Sequence, residues 1–185
     1  GTVWRFTVAD FLVVDDFELY TDDETDRIFQ NWIDGWGFST PEPGNPGNGT
    51  GSTVGYISAP FTERTIINSG YQSMPLEYDN AFGASEATIT FPGQNWAGSS
   101  IKTLSLMVFG NPDNTGQLYV KINNSKVVYD RDPADIARSG WQAWNIDLAG
   151  VSGLQNVTSL TIGVDGGSAA GMLYIDDIRL YPLDG

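Results

Sequence analysis

Short apolar segments alternate with closely spaced turn signals along the chain, and this pattern constrains the fold more than any other feature of the sequence. In residues 86–91, 117–122 and 159–164, for example, apolar and polar side chains alternate with a period of two. Such alternation places successive side chains on opposite faces of a β-strand, and no long stretch shows the period of a helix. The pattern predicts an all-β chain, a β-sandwich or jelly roll of two antiparallel sheets.

The predicted strands fit one domain, which we expect to span residues 12–182. Residues 1–11 are interpreted as an N-terminal tail or an extra edge strand, and residues 183–185 as a short tail. Residues 40–53 contain three prolines, four glycines and almost no apolar side chain, which predicts an exposed loop. A cluster of turn-forming residues follows one of the later strands, so residues 102–130 are predicted to form a three-strand meander.

The chain contains no histidine and no cysteine, and its 23 Asp+Glu against 9 Lys+Arg give a formal charge of -14. Catalytic systems that use His or Cys, and zinc sites with nitrogen or sulfur ligands, are therefore excluded. The negative charge disfavours nucleic acid, and no run approaches the roughly 20 apolar residues of a membrane span. We therefore expect the chain neither to bind nucleic acid nor to insert into a membrane. The start at Gly1, without an initiator methionine, indicates a piece of a larger protein with flanking domains.

Carboxylates are concentrated near both ends of the predicted domain, in residues 15–18 and in the last strand. If Ile178 and Leu180 point into the core, a period of two places Asp176 on the same face. A carboxylate that points inward must be paired or coordinated, and calcium would satisfy it because this ion takes roughly six to eight oxygen ligands. The alternative is that these residues are solvated acids at strand ends.

Aromatic side chains are candidates for sugar binding. Tyr20, Trp32 and Trp36 lie in a segment rich in Asp, and exposed Trp and Tyr faces can stack on the C–H groups of a sugar. The alternative is that they are anchors of the core. Trp141 and Trp144 are three residues apart on one predicted strand, so they should face opposite ways, with Trp144 in the core and Trp141 nearer solvent.

The predicted strand at residues 72–79 offers two acidic candidates. Glu77 and Asp79 share one face of this strand, opposite its apolar residues, so they could bind sugar hydroxyls on the concave face of a sandwich. A glycosidase with this acidic motif would need a further acid three or four residues after Asp79, where Phe82 and Gly83 stand. We therefore predict that the chain is not an enzyme.

Three blocks of sequence carry a resemblance to a known family: VDDFE at residues 14–18, GWQAWNIDL at residues 140–148 and YIDDIRL at residues 174–180. In kind and order they resemble the framework of carbohydrate-binding modules of the galactose-binding-like jelly-roll type, in an arrangement similar to the family 11 β-glucan-binding module. In such modules the early acids and an Asp of the final strand commonly hold a structural calcium. The resemblance implies that the corresponding residues here are Asp16, Glu18 and Asp176, with Asp177 as second choice.

The resemblance also implies a function. The chain would be a non-catalytic, secreted or cell-surface module that attaches a larger bacterial protein, such as a glycoside hydrolase, to a polysaccharide of plant or algal cell walls. Two alternatives stay open: a structural or adhesive spacer of a bacterial surface protein without a sugar site, and a less favoured glycan-cleaving jelly-roll enzyme. The residues expected to bind the sugar are Tyr20, Trp32, Trp36, Glu77, Asp79, Phe82 and Trp141.

Overall fold

Two antiparallel β-sheets share one hydrophobic core in the computed structural model, which describes residues 11–98 and 101–182. The expectations for residues 1–10 and 183–185 lie outside this part of the chain. The strands are β1 (Leu12–Asp15), β2 (Trp32–Ile33), β3 (Ser52–Val54), β4 (Met74–Asp79), β5 (Ser85–Gln94), β6 (Thr103–Phe109), β7 (Gln117–Ile122), β8 (Ser125–Val128), β9 (Trp141–Asp147), β10 (Val157–Asp165) and β11 (Ala170–Tyr181).

The strand order defines a front sheet and a back sheet. The front sheet has the order β3-β4-β11-β6-β9, with β1 paired to the end of β11, and the back sheet has the order β2-β5-β10-β7-β8. This arrangement confirms the prediction of an all-β sandwich with two antiparallel sheets. The predicted alternation also holds: on β9, Trp144 and Ile146 are buried in the core, whereas Ala143 and Asn145 are exposed.

Helical structure within the described residues is limited to short segments. Each of the three 3-10 turns follows an aspartate whose carboxylate accepts a backbone N–H of the turn. None of the helices in residues 11–98 and 101–182 has the length and apolar character needed to cross a membrane. The helical segments are α1 (Ile28–Asn31) and the 3-10 turns Asn80–Phe82, Pro133–Ala137 and Leu148–Gly150.

A β-bulge near the end of β11 changes which face its residues occupy. The register shifts between Asp176 and Arg179, and Asp177 adopts a left-handed conformation with a φ of 49°. Asp176 therefore lies opposite Met107 on the outer face of the front sheet, whereas Ile178 is buried in the core. The expectation that Asp176 and Ile178 share a face is wrong, because the extra residue of the bulge breaks the period of two.

The chain crosses between the sheets after β6, so the prediction of a meander over residues 102–130 is wrong. β6 belongs to the front sheet, whereas β7 and β8 form a hairpin of the back sheet. Asn114 fixes the crossover, because its side-chain amide donates to the carbonyl oxygens of Ile136 and Met172 at 2.8 and 2.7 Å. Turn-forming residues do not distinguish a hairpin from such a crossover.

The predicted loop at residues 40–53 ends two residues earlier than expected, because β3 begins at Ser52. None of residues 40–51 is buried, but Ser52 is fully buried at the start of β3. The Ser52 hydroxyl donates to the carbonyl oxygen of Glu86 at 2.5 Å, so this polar residue is satisfied inside the sandwich. The loop therefore leads directly into the edge strand of the front sheet.

A glycine on β10 provides a test of the back sheet. A Cβ at Gly163 would lie 2.4 Å from the Cζ atom of Tyr119, its partner on β7. We expect Gly163→Ala to lower the free energy of unfolding by about 1–3 kcal/mol, because the Tyr119 ring must move out of a packed position. Urea denaturation measures the change. The matched control is Gly167→Ala, where nothing lies within 4 Å of the added Cβ, and equal midpoints for the two variants would contradict this packing.

Candidate functional site

A row of three aromatic side chains crosses the outer face of the front sheet. Tyr174 on β11 lies opposite Phe109 on β6, which in turn lies opposite Trp141 on β9. The ring centroids of Phe109 are 5.9 Å from those of Tyr174 and 5.5 Å from those of Trp141, with edge-to-face geometry in both pairs. All three side chains are partly exposed. They form one aromatic surface that runs across the strands.

A pocket of about 650 Å³ opens at the β3 edge of the same sheet. Its volume lies within the range of roughly 300–1,000 Å³ that is typical of small-molecule sites. Trp36 and Ile57 are its most exposed apolar residues, at 73% and 103% relative exposure. The residues that line it are Phe29, Asp34, Trp36, Gly37, Thr53, Val54, Gly55, Tyr56, Ile57, Phe61, Glu77 and Met172.

The first wall of the pocket is the turn at residues 34–37, which carries Trp36. The carboxylate of Asp34 is buried and accepts the backbone N–H groups of Trp36 and Gly37 at 2.9 and 2.7 Å. Its other oxygen accepts the N–H of Val54 on β3 at 2.8 Å. Gly37 has a φ of 65° and no room for a side chain, because a Cβ would meet the carbonyl oxygen of Asn45 at 2.1 Å. The turn is therefore fixed against the sheet edge.

The second wall is the loop at residues 55–61, which carries Tyr56, Ile57 and Phe61. The hydroxyl of Tyr56 donates to Glu63, and the other Glu63 oxygen accepts the hydroxyl and the N–H of Thr65 and the N–H of Ile66. Burial raises the pKa of Glu63, but these hydrogen bonds outweigh it and lower the pKa to about 2. Burial together with Glu63 and Tyr174 raises the pKa of Tyr56, which keeps the phenol protonated. The contact with Tyr174 joins the pocket to the aromatic row.

Three of the predicted sugar-binding residues lie on this face. Trp36 and Glu77 line the pocket together, and Trp141 forms one end of the aromatic row. Asp79 is exposed two residues after Glu77, but its carboxylate accepts the N–H of Ala81 at 2.9 Å and does not line the pocket.

The structure places two other candidates in the core region. Trp32 is fully buried, packs on Phe17 at a centroid distance of 6.1 Å, and donates its indole N–H to Asp15 at 2.8 Å. Tyr20 is partly buried against the core and donates to the same carboxylate at 2.5 Å. The expectation of an exposed Trp32 face is wrong, because the indole is buried in the core and donates to the partly buried carboxylate of Asp15. The side chain of Phe82 lies outside the described part of the structure.

Two further aromatic residues of the site, Phe109 and Tyr174, are missed by sequence reasoning. Both sit at positions whose neighbours along the strand point into the core. The usable signal is an aromatic side chain at a position of an alternating strand where a polar residue is expected. On β6, Phe109 breaks the expected alternation in this way.

Three of the four predicted metal ligands, Glu18, Asp176 and Asp177, contact the loop at residues 68–72, whereas Asp16 contacts only Glu18 among them. Glu18 accepts the N–H groups of Tyr71 and Gln72 at 2.9 and 3.2 Å, and Asp16 accepts the N–H of Glu18. The buried carboxylates of the bulge also contact this loop: Asp176 accepts the N–H groups of residues 68 and 69, and Asp177 accepts their side chains. These carboxylates fasten the loop.

The groups around these four carboxylates are hydrogen-bond donors and do not match the oxygen ligands of a calcium site. N–H and O–H donors and the guanidinium of Arg179 already contact them, and calcium needs roughly six to eight oxygen ligands. In residues 11–98 and 101–182 no three His, Cys, Asp or Glu side chains are grouped so that they could hold a metal ion. Burial raises the pKa of Asp176 to about 6, against the backbone amides that lower it. A structural calcium stays a prediction from the resemblance.

Solved structures of carbohydrate-binding modules show the same fold. The family 11 module of the cellulosomal cellulase Lic26A-Cel5E of Clostridium thermocellum has a TM-score of 0.56 and 14% identity over 95% of this chain and 96% of its own. The Clostridium thermocellum family 11 module in complex with a β-1,3-1,4-mixed-linked tetrasaccharide has a TM-score of 0.57 and 14% identity over 95% of this chain and 97% of its own.

A larger enzyme contains a similar unit. A structure of an exo-β-agarase has a TM-score of 0.62 and 14% identity over 96% of this chain, which corresponds to only 26% of the agarase chain. No protein-family model matches the chain, and no curated protein does. At these identities the likeness shows the fold, which is the jelly roll of family 11 and family 30 carbohydrate-binding modules.

Trp32 and Trp36 should respond differently to substitution, because one is buried and the other is exposed. We expect Trp32→Phe to lower the free energy of unfolding by about 1–3 kcal/mol, because a buried cavity forms and Asp15 loses an indole donor. Trp36→Phe should leave stability within about 0.5 kcal/mol, because the side chain is exposed. Thermal and urea denaturation measure both. Equal destabilisation of the two variants would contradict the assignment of Trp32 to the core.

The depressed pKa of Glu63 predicts a pH-dependent contribution to stability. The pKa falls from 4.5 to about 2 on folding, so the contribution is present above pH 4.5 and is lost as the pH falls towards 2. Urea unfolding of the native chain and of Glu63→Gln should therefore differ most near pH about 6 and converge near pH about 2. Glu24→Gln, at an exposed position, is the matched control. A difference that is constant with pH would contradict the role of the ionised carboxylate.

Proposed function

We propose that the chain is a non-catalytic carbohydrate-binding module that attaches a larger exported protein to a polysaccharide. The observation that carries the proposal is the position of the aromatic row and the pocket side by side on one outer face of the front sheet. Rings that are held by a sheet and lie open to solvent can stack on sugar C–H groups without a rearrangement of the backbone.

The pocket supplies polar groups beside the rings. Glu77 is exposed on β4 and Thr53 lies opposite it on β3, so a carboxylate and a hydroxyl face the same space as Trp36. Such groups orient a sugar by hydrogen bonds to its hydroxyls, while the apolar walls contribute contact area. We infer that Trp36 and Tyr174 contribute stacking and that Glu77 contributes hydrogen bonding.

The charges around the pocket favour a neutral polysaccharide. The described residues that line it include the carboxylates of Asp34 and Glu77 and no Lys or Arg. The whole chain has a formal charge of -14, so a polyanionic glycan would be repelled. The charge therefore favours neutral polysaccharides, and the likeness to units of a cellulase and an agarase leads us to propose those of plant or algal cell walls.

The context of the structural neighbours supports an accessory role. The similar unit of the exo-β-agarase is about a quarter of that chain, and the family 11 module belongs to a cellulosomal cellulase. We infer that this chain acts outside the cell and is linked to other domains. Linkage matters because weak binding by one module is strengthened by avidity when several sites act together.

Affinity electrophoresis in gels that contain single soluble polysaccharides tests the proposal. Neutral mixed-linkage β-glucan, xylan, galactomannan and agarose form the panel, and alginate is the polyanionic control. We expect retardation in at least one neutral glycan, and Trp36→Ala and Tyr174→Ala should weaken it about tenfold or more. Tyr71→Ala is the matched control, because Tyr71 is 83% exposed and does not line the pocket.

Three results would contradict the proposal. The first is migration that no polysaccharide retards, which would favour a spacer or adhesive module. The second is an equal effect of the Trp36 and Tyr71 substitutions, which would place binding elsewhere. The third is release of reducing sugar from a retarding glycan, which would show an enzyme.

A further inference from the structure

We propose that Asp34 and Glu63 are positioning residues, each of which holds one aromatic wall of the pocket in its binding arrangement. The two carboxylates are buried, at 2% and 8% relative exposure, and they serve the walls that carry Trp36 and Tyr56. The inference rests on the proposed function for its binding readout, but the arrangement itself can be measured without a ligand.

Asp34 couples the Trp36 turn to the front sheet. One oxygen accepts two consecutive N–H groups of the turn, and the other accepts the N–H of Val54 at the edge strand β3. All three donors are backbone groups, so the carboxylate fixes the path of the chain and thereby the base of the Trp36 side chain. With its backbone already fixed, Trp36 has only its side-chain torsions to order when it binds a sugar, so the entropy cost of ordering the turn is avoided.

Glu63 couples the Tyr56 loop to the chain that leads into β4. Its backbone pairs with Ser73 in a short antiparallel bridge, with N–H to oxygen distances of 3.0 and 2.9 Å. From this anchored position its carboxylate accepts the Tyr56 hydroxyl on one oxygen and the N–H groups of Thr65 and Ile66 on the other. The Tyr56 ring is therefore held at its hydroxyl by an anchored carboxylate, while its backbone N–H donates to the carbonyl oxygen of Phe61 at 3.0 Å.

The chemistry of the donors distinguishes the two positions. Both oxygens of Asp34 accept N–H groups, whereas the amide of Asp34→Asn has only one oxygen that can accept. In either orientation its NH₂ therefore faces a backbone N–H, and at least one hydrogen bond is lost. At Glu63 one donor is a phenol, which can also accept. Glu63→Gln can therefore keep its oxygen on Thr65 and Ile66 and donate its NH₂ to Tyr56, whereas Glu63→Ala removes every contact.

Amide hydrogen exchange followed by NMR provides the readout that needs no ligand. We expect Asp34→Asn to accelerate exchange at Trp36, Gly37 or Val54 by about tenfold or more, since a lost hydrogen bond exposes these amides to local opening. Glu63→Ala should do the same at Thr65 and Ile66, and Glu63→Gln should lose clearly less protection there than Glu63→Ala does, because its amide oxygen can still accept both N–H groups. The amides of residues 71 and 72, which bind Glu18, report that the rest of the fold is unchanged.

Binding is then measured with the neutral polysaccharide of the panel that retards the native chain most. We expect Asp34→Asn and Glu63→Ala to weaken retardation about tenfold, and Glu63→Gln and the exposed control Glu24→Gln to bind like the native chain. Rescue by Glu63→Gln separates positioning from a requirement for negative charge. If Asp34→Asn does not fold, the Ala and Gln variants of Glu63 carry the test.

The outcomes separate this inference from the proposed function. If the native chain binds no polysaccharide of the panel, the proposed function fails, and exchange alone tests whether the carboxylates hold the walls. Unchanged protection in both Asp34→Asn and Glu63→Ala overturns the inference. Lost protection with unchanged affinity also overturns it, because the walls would then not need to be held.

Discussion

Buried carboxylates that accept backbone N–H groups fasten the loops of this sandwich. A carboxylate removed from water must be hydrogen-bonded, and here that requirement links distant segments of the chain. Asp34 ties a turn to β3, Glu63 ties a loop to the approach to β4, and Asp176 ties the loop at residues 68–72 to the last strand. The partly buried Asp15 instead accepts a side-chain donor, the indole N–H of Trp32, near the N-terminal end. The excess of acids in the composition thus has a structural use inside the protein.

The candidate site combines two kinds of element with different demands. The front sheet supplies the aromatic row, whose geometry is set by strand pairing and so tolerates little change. The loops supply the pocket, whose walls depend on a few hydrogen bonds and can differ in length and sequence without disturbing the core. A jelly roll with this division can keep one scaffold while its ligand changes. This agrees with the low identity that the chain shows to modules of the same fold.

The sequence predicts the fold class well because alternation reports directly on burial. It predicts the two faces of β4 and the opposite orientation of Trp141 and Trp144 for the same reason. The sequence does not predict the face of Asp176, because a β-bulge leaves no sign in an alternation pattern. It does not predict the burial of Trp32 either, because no neighbouring residue shows that the indole N–H donates to Asp15. The pocket wall at residues 55–61 is not predicted from the sequence, because only the tertiary fold brings this loop next to Trp36 and Glu77.

The aromatic row crosses the strands, and this direction determines the distances between its rings. Because the row crosses the strands, the separation of its rings follows the interstrand spacing of roughly 4.8 Å, and the observed centroid distances of 5.5 and 5.9 Å are close to it. The pairing of the strands therefore fixes the spacing of the three rings. A polymer that contacted all three rings, as the proposed function requires of a long ligand, would need a repeat compatible with this spacing, which is set by the pairing of the strands.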